Sequence, residues 1–500
     1  GLLFGVWAAW ENPFFLDTPW LFLILACLPG LALALVWRRE GPRQLLVVPL
    51  ALWTLAALRP EPEPVPVKLL VIGIDGASWD RIDALELPHL KALEETGTRA
   101  VLESMEPMFS PLLWTTIASG KGPGEHGVKG FRVRSDQARV PRFWDIALEE
   151  GYSVGVWKWL VTWPPRPVDG FMVPGWLALT PETTPPDLGF AKELELASRL
   201  RRQQRPSRNV LVLALEGIPR GLRMSTLLSA AWELSGLSSG EPGVERNLLR
   251  GLIDRDVFVW ALHRHQPELA TFTAYATDGL QHSHFGLEAA DRAYRQADDL
   301  VGELLSQVGP ETTVVVISDH GFQAFEGPDE RLVPTTEALS ARLGEGVQVH
   351  RLGIKLVLLG PEGTGEVAGS LLDEQGQSAY RVEALQPGVW GLTLRREALG
   401  AQELAVATVD GEPMQDFARP RERHDRGDHH PEGIFLASGP GIGAGERLPP
   451  VGLLDVSPTL QALLGIPPAQ DLPGRIVLGP TTRGPATRDG LIETLDWGAW

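Results

Sequence analysis

The chain of 500 residues contains a single cysteine, Cys27. It cannot close an internal disulfide, and neither a Cys-x-x-Cys zinc ribbon nor a cysteine-ligated cluster can be built, so any metal chemistry falls to His, Asp and Glu. Basic residues are the minority: 45 Lys and Arg stand against 63 Asp and Glu, a formal net charge of −18. A chain so charged does not coat nucleic acid through bulk electrostatics. The sequence also lacks G-x-x-x-x-G-K-[ST] and H-E-x-x-H, which removes the P-loop and the metalloprotease helix. Gly439-Pro-Gly-Ile-Gly follows an apolar run, but Pro440 and the absence of a following helix argue against a dinucleotide fingerprint. No internal repeat is evident. At 44% hydrophobic residues and a mean hydropathy of −0.03 the chain is too apolar to be disordered and too long for one small module. One large domain with something attached is expected.

The attachment is at the amino terminus. Trp20 to Trp37 carries no charge, and as a helix of ~1.5 Å per residue it spans about 27 Å, close to the ~30 Å of a bilayer core. Leu45 to Leu58 is a shorter apolar run, and Gly1 to Trp10 allows a third. Residues 1–60 are therefore expected to be a membrane anchor of two or three hydrophobic helices, against the alternative of an apolar hairpin packed on the soluble part. A cleaved signal is disfavoured, because the run sits inside the chain, lacks a small-residue cleavage site and is followed by a second run. Arg38, Arg39 and Arg43 face only Glu40 between the runs, so the positive-inside bias puts that loop in the cytoplasm and everything after Leu58 outside the cell membrane. Residues 61–66, EPEPVP, form a stiff spacer. The anchor holds four basic and three acidic side chains, so the rest carries −19.

Residues 67–500 read as an α/β domain with a mostly parallel central sheet flanked by helices. Val67 to Ile74, Thr271 to Thr277 and Thr312 to Ser318 are apolar, β-branched runs, each leading directly into an aspartate. Gly433 to Ser438 is a fourth such run, Leu87 to Thr96 reads as a helix, and Val451 to Pro467 reads as a strand end followed by a helix with Pro458 near its start. Residues 180–255 form a helical, Arg-rich insertion without legible chemistry, and 327–420 an inserted α+β subdomain. Ligands of open α/β sheets gather at the carboxyl ends of strands, so Asp75, Asp278 and Asp319 are expected to share a crevice.

Histidines accompany these acids. His282 follows Asp278 by four residues, His320 is next to Asp319, and His429, with His430 beside it, precedes the GIF run. A lone strand-end Asp is usually a cap and a lone His usually scaffold. Their coincidence makes Asp75, Asp278, His282, Asp319, His320 and His429 candidate ligands for two metals a few ångströms apart.

GIDGASWD (73–80), FSPLLWTTIASGKGPGEHGVKGF (109–131), TDGLQH (277–282), SDHGF (318–322) and GDHHPEGIFLASGPGI (427–442) occur in that order. Together they resemble the alkaline phosphatase superfamily, in its type I phosphodiesterase and nucleotide pyrophosphatase-like branch. The resemblance implies that Asp75, Asp319 and His320 hold one divalent metal and Asp278, His282 and His429 the other, and that His430 is a bystander; the His and Asp ligand mix favours zinc, with manganese, which occurs in relatives, as the alternative. It implies Ser110, ten residues before Gly120, as a nucleophile bridging to the metal, with Thr115 and Thr116 as rival hydroxyls. The helix that Ser110 heads would lend backbone amides to a phosphate. A two-step reaction through a phosphoserine follows from the same likeness. Phe131 stands where the branch carries a phosphate-holding Asn; Lys121, Lys129 and Arg132 read as solvated charges. Ser110-Pro-Leu-Leu lacks the sulfatase pattern. Trp157, Trp159 and Trp163 read as core before pocket.

The function expected is that of a membrane-anchored two-metal phosphohydrolase acting on phosphodiester or phosphomonoester bonds of small or lipid-linked anionic substrates. A phosphotransferase or mutase on the same fold, and a non-catalytic metal-binding membrane protein, are the alternatives. The net charge of the soluble part favours small esters over polyanions.

Overall fold

The computed structural model describes Asn12, Phe14 and residues 62–478, apart from 203–207, 237–239, 327–329, 353–354, 387, 397–398, 400 and 423–425. The three apolar runs of the expected anchor, and Cys27, lie outside the described residues. Among the described residues no helix is long and apolar enough to cross a membrane. The chain forms two compact units, one of residues 1–323 with 427–500 and one of Ala324–Arg426.

The first unit is built on a nine-stranded sheet. Its strands are β1 (Leu69–Ile74), β2 (Thr98–Glu103), β3 (Val154–Trp157), β4 (Gly170–Val173), β5 (Leu269–Ala274), β6 (Thr313–Ile317), β17 (Glu432–Ser438), β18 (Glu446–Arg447) and β19 (Val451–Gly452). The order is β18-β2-β17-β6-β1-β5-β3-β4, with β19 also on β2. β1 lies between β5 and β6, in register from Leu69 opposite Leu269 and Thr313. All strands run one way except β17, which is antiparallel to both β2 and β6. The sheet is therefore mixed, and the GIF run is its one reversed strand.

Both faces of β1 are buried, which is why it reads as a continuous apolar run rather than an alternation. Leu70, Ile72 and Ile74 pack in one core with α6 (Pro242–His265) and α8 (Glu288–Gln307). Leu69 and Val71 pack in the other with α2 (Ser110–Ser119) and α9 (Leu453–Leu463). Pro458 sits inside α9, not near its start. The remaining helices used below are α1 (Pro88–Thr96), α3 (Gly189–Arg202), α4 (Val210–Gly217), α5 (Met224–Leu234) and α7 (Ala276–His284). α3 to α6 make up the helical insertion, which runs to His265.

β7 (Gly321–Ala324) pairs with β16 (Gly427–His430) where the chain leaves for the second unit and returns from it. That unit has an antiparallel sheet β11-β12-β10-β9, from β9 (Gln348–Leu352), β10 (Lys355–Leu359), β11 (Tyr380–Gln386) and β12 (Val389–Leu394). It also holds two ribbons, β13 (Thr408–Val409) with β14 (Glu412–Pro413) and β15 (Ala418–Glu422) with β8 (Glu330–Pro334). Its own core includes Leu339, Leu356, Leu358, Leu392 and Phe417.

Candidate active site

Asp75 follows β1 directly and is buried. The glycines around it have separate reasons. A Cβ on Gly73 would stand 2.6 Å from Cη2 of Trp114, and Gly76 turns the chain at φ +73°. Asp319 and His320, just past β6, are fully buried. Asp278 departs from expectation: β5 stops at Ala274, and the acid lies in the first turn of α7 rather than at a strand end. The helix puts His282 one turn further on the same face. His429 comes before its strand because β17 runs backwards, so the start of β17, not its end, reaches the carboxyl edge of the sheet.

His320 is the centre of the arrangement. Its Nε2 lies 3.5 Å from Asp75 Oδ1, 3.6 Å from Asp319 Oδ2 and 3.9 Å from Asp278 Oδ1. Its ring stacks on that of His429 with centroids 3.7 Å apart. Asp278 Oδ1 is 3.3 Å from His282 Nε2 and 3.4 Å from His429 Nε2, and the two histidine Nε2 atoms are 3.3 Å apart. Donor atoms of Asp75, Asp319 and His320 fall within 4.8 Å of one another, as do those of Asp278, His320 and His429. The grouping by sequence gave His320 to the first set alone; in space it touches both. His430 contributes no atom to either set.

The residues fit a metal centre on three counts. Asp75 Oδ1, Asp278 Oδ1, both Asp319 oxygens and His320 Nε2 are buried without a hydrogen-bond partner, which is costly unless a cation completes them. The donors are hard oxygens and imidazoles. Their orientation is fixed from behind: Trp114 Nε1 donates to Asp75 Oδ2 at 2.9 Å, His320 Nδ1 lies 3.0 Å from the Gly321 carbonyl oxygen, and His429 Nδ1 lies 2.9 Å from that of Met108. Burial and the neighbouring Asp319 and Asp278 carboxylates push the Asp75 carboxyl well up, and burial with Asp278 does the same to Asp319. Burial would raise Asp278 too, but His282 and His429 pull it below the usual range. Burial, with His429 adding to it, lowers the His320 imidazole to about 3, which keeps it neutral and able to ligate.

Ser110 is the first residue of α2 and is buried. Trp114 follows it by one turn on the same face and bonds Asp75, and Met108, whose carbonyl meets His429, precedes it by two residues, so residues on both sides of Ser110 reach the cluster. The rival hydroxyls are engaged elsewhere: Thr115 Oγ1 donates to the Pro111 carbonyl at 2.6 Å, and Thr116 Oγ1 to that of Leu112 at 3.0 Å. The expected amide cradle is smaller than a helix start suggests. Pro111 has no N–H, and the N–H groups of Leu112 and Leu113 both donate to the Phe109 carbonyl. Phe131 is half exposed, edge-on to Phe109 at 5.9 Å. Lys129 and Arg132 are exposed. Lys121 is not the solvated charge expected: it is buried and paired with Asp471 and Glu125.

Two features escaped the sequence. Trp114 is the clamp on Asp75, and its own carbonyl accepts from Trp159 Nε1 at 3.0 Å. Trp157 and Trp159 are core residues, as their composition suggested, while Trp163 Nε1 donates to Thr180 Oγ1. The second feature is a buried charge cluster: Lys158 pairs with Glu195 and, at 2.8 Å, with Asp254, and Lys192 pairs with Glu195 at 2.8 Å. Lys158 (φ +61°) and Val161 (φ +60°) are left-handed. Such strain, about 1–3 kcal/mol each, persists because Trp159, these ion pairs and the Arg142 bond to the Val161 carbonyl over-determine the loop. A cavity of about 1270 Å³ runs from Asp278 and Tyr275 to Lys158, Glu195 and Asp254. It exceeds the ~300–1,000 Å³ of ordinary ligand pockets.

The type I phosphodiesterase / nucleotide pyrophosphatase family matches residues 69–364. The chain belongs to this family. Membership places it among phosphoester hydrolases. The matched span includes Asp75, Ser110, Asp278, His282, Asp319 and His320, while His429 lies beyond it. Among curated proteins none matches the chain.

Proposed function

We propose that the protein is a membrane-anchored, metal-dependent phosphohydrolase that opens phosphodiester or phosphomonoester bonds through a phosphoserine at Ser110. The observation that carries this reading is the convergence of five Asp and His side chains, with His282 against Asp278 and His429, and five orphaned donor atoms among them. Two divalent cations, zinc by the donor set with manganese as the alternative, would be held by Asp75, Asp319 and His320 and by Asp278, His282 and His429; they supply the positive charge that makes a serine hydroxyl acidic and stabilises a transferring phosphoryl group.

Ser110 loses its hydroxyl proton and its Oγ bonds to phosphorus, while the ester bond to the alcohol breaks and the alcohol leaves with a proton. Water then cleaves the Oγ–P bond and frees Ser110 and phosphate or a phosphomonoester. The cavity beyond Asp278 gives the alcohol portion its place. The substrate is a small or lipid-linked anionic ester. The apolar runs of residues 1–60 anchor the domain outside the cytoplasm, and a reporter fused at residue 65 that scores cytoplasmic would refute that side.

The chemistry is tested with full-length protein, a chromogenic monoester, a diester and a sulfate ester, with zinc or manganese. Ser110→Ala is expected to lose at least about a thousandfold in turnover and all phosphoenzyme, while Thr115→Val and Thr116→Val keep both. Full activity of Ser110→Ala, or a purified protein free of divalent metal, would end the reading. Transfer to added glycerol in preference to water would instead mark a phosphotransferase.

A further inference from the structure

Two stretches far apart in sequence meet at one spot. Phe14 packs 5.1 Å from the ring of His263, near the end of α6, with the Arg223 guanidinium 5.4 Å away on its face. Asn12 is fully buried, and its amide donates to the carbonyls of Ile218 (2.7 Å) and Leu222 (3.1 Å). His263 Nε2 is 2.8 Å from Gln307 Oε1, and the Gln307 carbonyl accepts from the Val65 N–H at 2.8 Å. Phe14 and Val65 thus stand at one spot of the domain with only His263 and Gln307 between them. The apolar runs Trp20 to Trp37 and Leu45 to Leu58 fall in that interval. Trp20 is six residue steps from Phe14 and Val65 is seven from Leu58, so at ~3.3–3.6 Å per residue neither link reaches beyond about 25 Å.

This spot is at the amino edge of the sheet. Val65 precedes β1 and Gln307 ends α8, whereas the Asp and His cluster follows the far end of β1. Six residues of strand separate the two by ~20 Å. α8 gives the same distance: the Tyr294 hydroxyl accepts from the Ser78 N–H beside the Asp75 turn, and its residue lies thirteen before Gln307, about 20 Å of helix. Next to this spot, α4 runs into the turn that Asn12 grips. Three aliphatic side chains on this eight-residue helix are exposed, Leu211 at 67%, Val212 at 45% and Leu215 at 55%. Scattered apolar residues need no explanation, but these three lie within two turns of one helix.

We propose that this end of the domain, with α4 against it, rests on a lipid bilayer, so that the catalytic cluster faces the aqueous phase and takes water-soluble phosphate esters in preference to esters embedded in the same membrane. The proposal rests on the anchor and hydrolase reading above. It predicts a standing distance of about 20 Å or more between headgroups and cluster, the length of β1.

The test uses the full chain in phosphatidylcholine and phosphatidylglycerol vesicles doped with headgroup-quencher lipid. In a Cys27→Ser background, a fluorophore is placed at Leu211→Cys on α4 or at Lys129→Cys, on the exposed loop beside Phe131. Quenching severalfold stronger at 211 than at 129 is expected; equal quenching, or stronger quenching at 129, overturns the orientation. In the same vesicles a soluble chromogenic diester should turn over as fast as in detergent. A phosphodiester lipid in the protein's own vesicle should be cleaved no faster than one offered in separate vesicles, and preferential cleavage of the co-embedded lipid overturns the substrate class. Loss of turnover on every ester would count against the hydrolase reading alone, because the quenching ratio decides the orientation without activity.

Discussion

Replacing Trp114 by Phe tests whether the candidate metal centre is organised from behind its proposed ligands. The indole N–H donates to Asp75 Oδ2 at 2.9 Å, leaving Oδ1 as the oxygen turned toward His320. A hydrogen bond to a charged group contributes about 1.5–3 kcal/mol, and losing the partner that orients a metal ligand costs roughly 10–100-fold in metal affinity. The two magnitudes agree, since about 1.4 kcal/mol is a factor of ten. Phe also leaves a gap where the larger ring packed, so stability falls as well, and a control must separate packing from hydrogen bonding. Trp144 provides it: it is fully buried in the same aromatic cluster, edge-on to Trp159 at 5.2 Å, and its Nε1 has no hydrogen-bond partner. Both Trp114→Phe and Trp144→Phe should lower the unfolding temperature of chelated protein. Only Trp114→Phe should weaken metal binding, read by equilibrium dialysis against a competing chelator. Equal metal affinity in the two variants would show that Trp114 merely fills the core.

Three further outcomes follow from the buried charges. Asp319→Asn should abolish activity yet stabilise the chelated protein, because the folded carboxyl is raised well above its ordinary value; a group so shifted costs stability as pH rises above the ordinary carboxyl range, and chelated wild type should lose more stability over that rise than the variant, in which Asp75 alone of the two raised carboxyls remains. His126, held by the Val128 N–H and near Thr116 Oγ1, is pushed by burial down to about 4 from 6.5. The unfolded chain therefore binds the extra proton between those values, so stability is full above about pH 6.5 and falls toward pH 4. His126→Gln should flatten that part of the melting-temperature profile. Glu195→Gln leaves Lys158 and Lys192 buried with one carboxylate fewer, and denaturant unfolding should register a loss of about 3–5 kcal/mol.

Much of the site was readable because apolar, β-branched runs announce buried strands and the residues after them announce the edge where ligands gather. Asp75, Asp319 and His320 follow from that rule alone. Asp278 did not, because Thr271 to Thr277 keeps a strand-like composition across the real break at Ala274, and composition cannot tell a continuing strand from a helix's first turn. The direction of β17 is equally silent, since a strand buried on both faces looks the same run either way. Trp114 reads as core in any apolar helix; its second task is visible only with Asp75 beside it. Lys121 and the Lys158, Lys192, Glu195 and Asp254 group were missed because the local pairs, Lys121 with Glu125 and Lys192 with Glu195, look like ordinary solvated helix pairs, while the partners that show burial, Asp471 for Lys121 and Glu195 and Asp254 for Lys158, are far away in sequence.

The reversed strand has a consequence in time. Asp75, Asp319 and His320 are all made once residue 320 is out, but the set with His429 must wait for a further hundred residues or so, including the whole second unit. At ~5–20 residues per second that is an interval of about 5–20 seconds during synthesis. For that interval one donor group can close while the other is still missing a side chain. On the proposed reading, the nascent domain holds the donors of one candidate metal site before those of the other are complete, so the order of the strands sets the order in which the two can be filled.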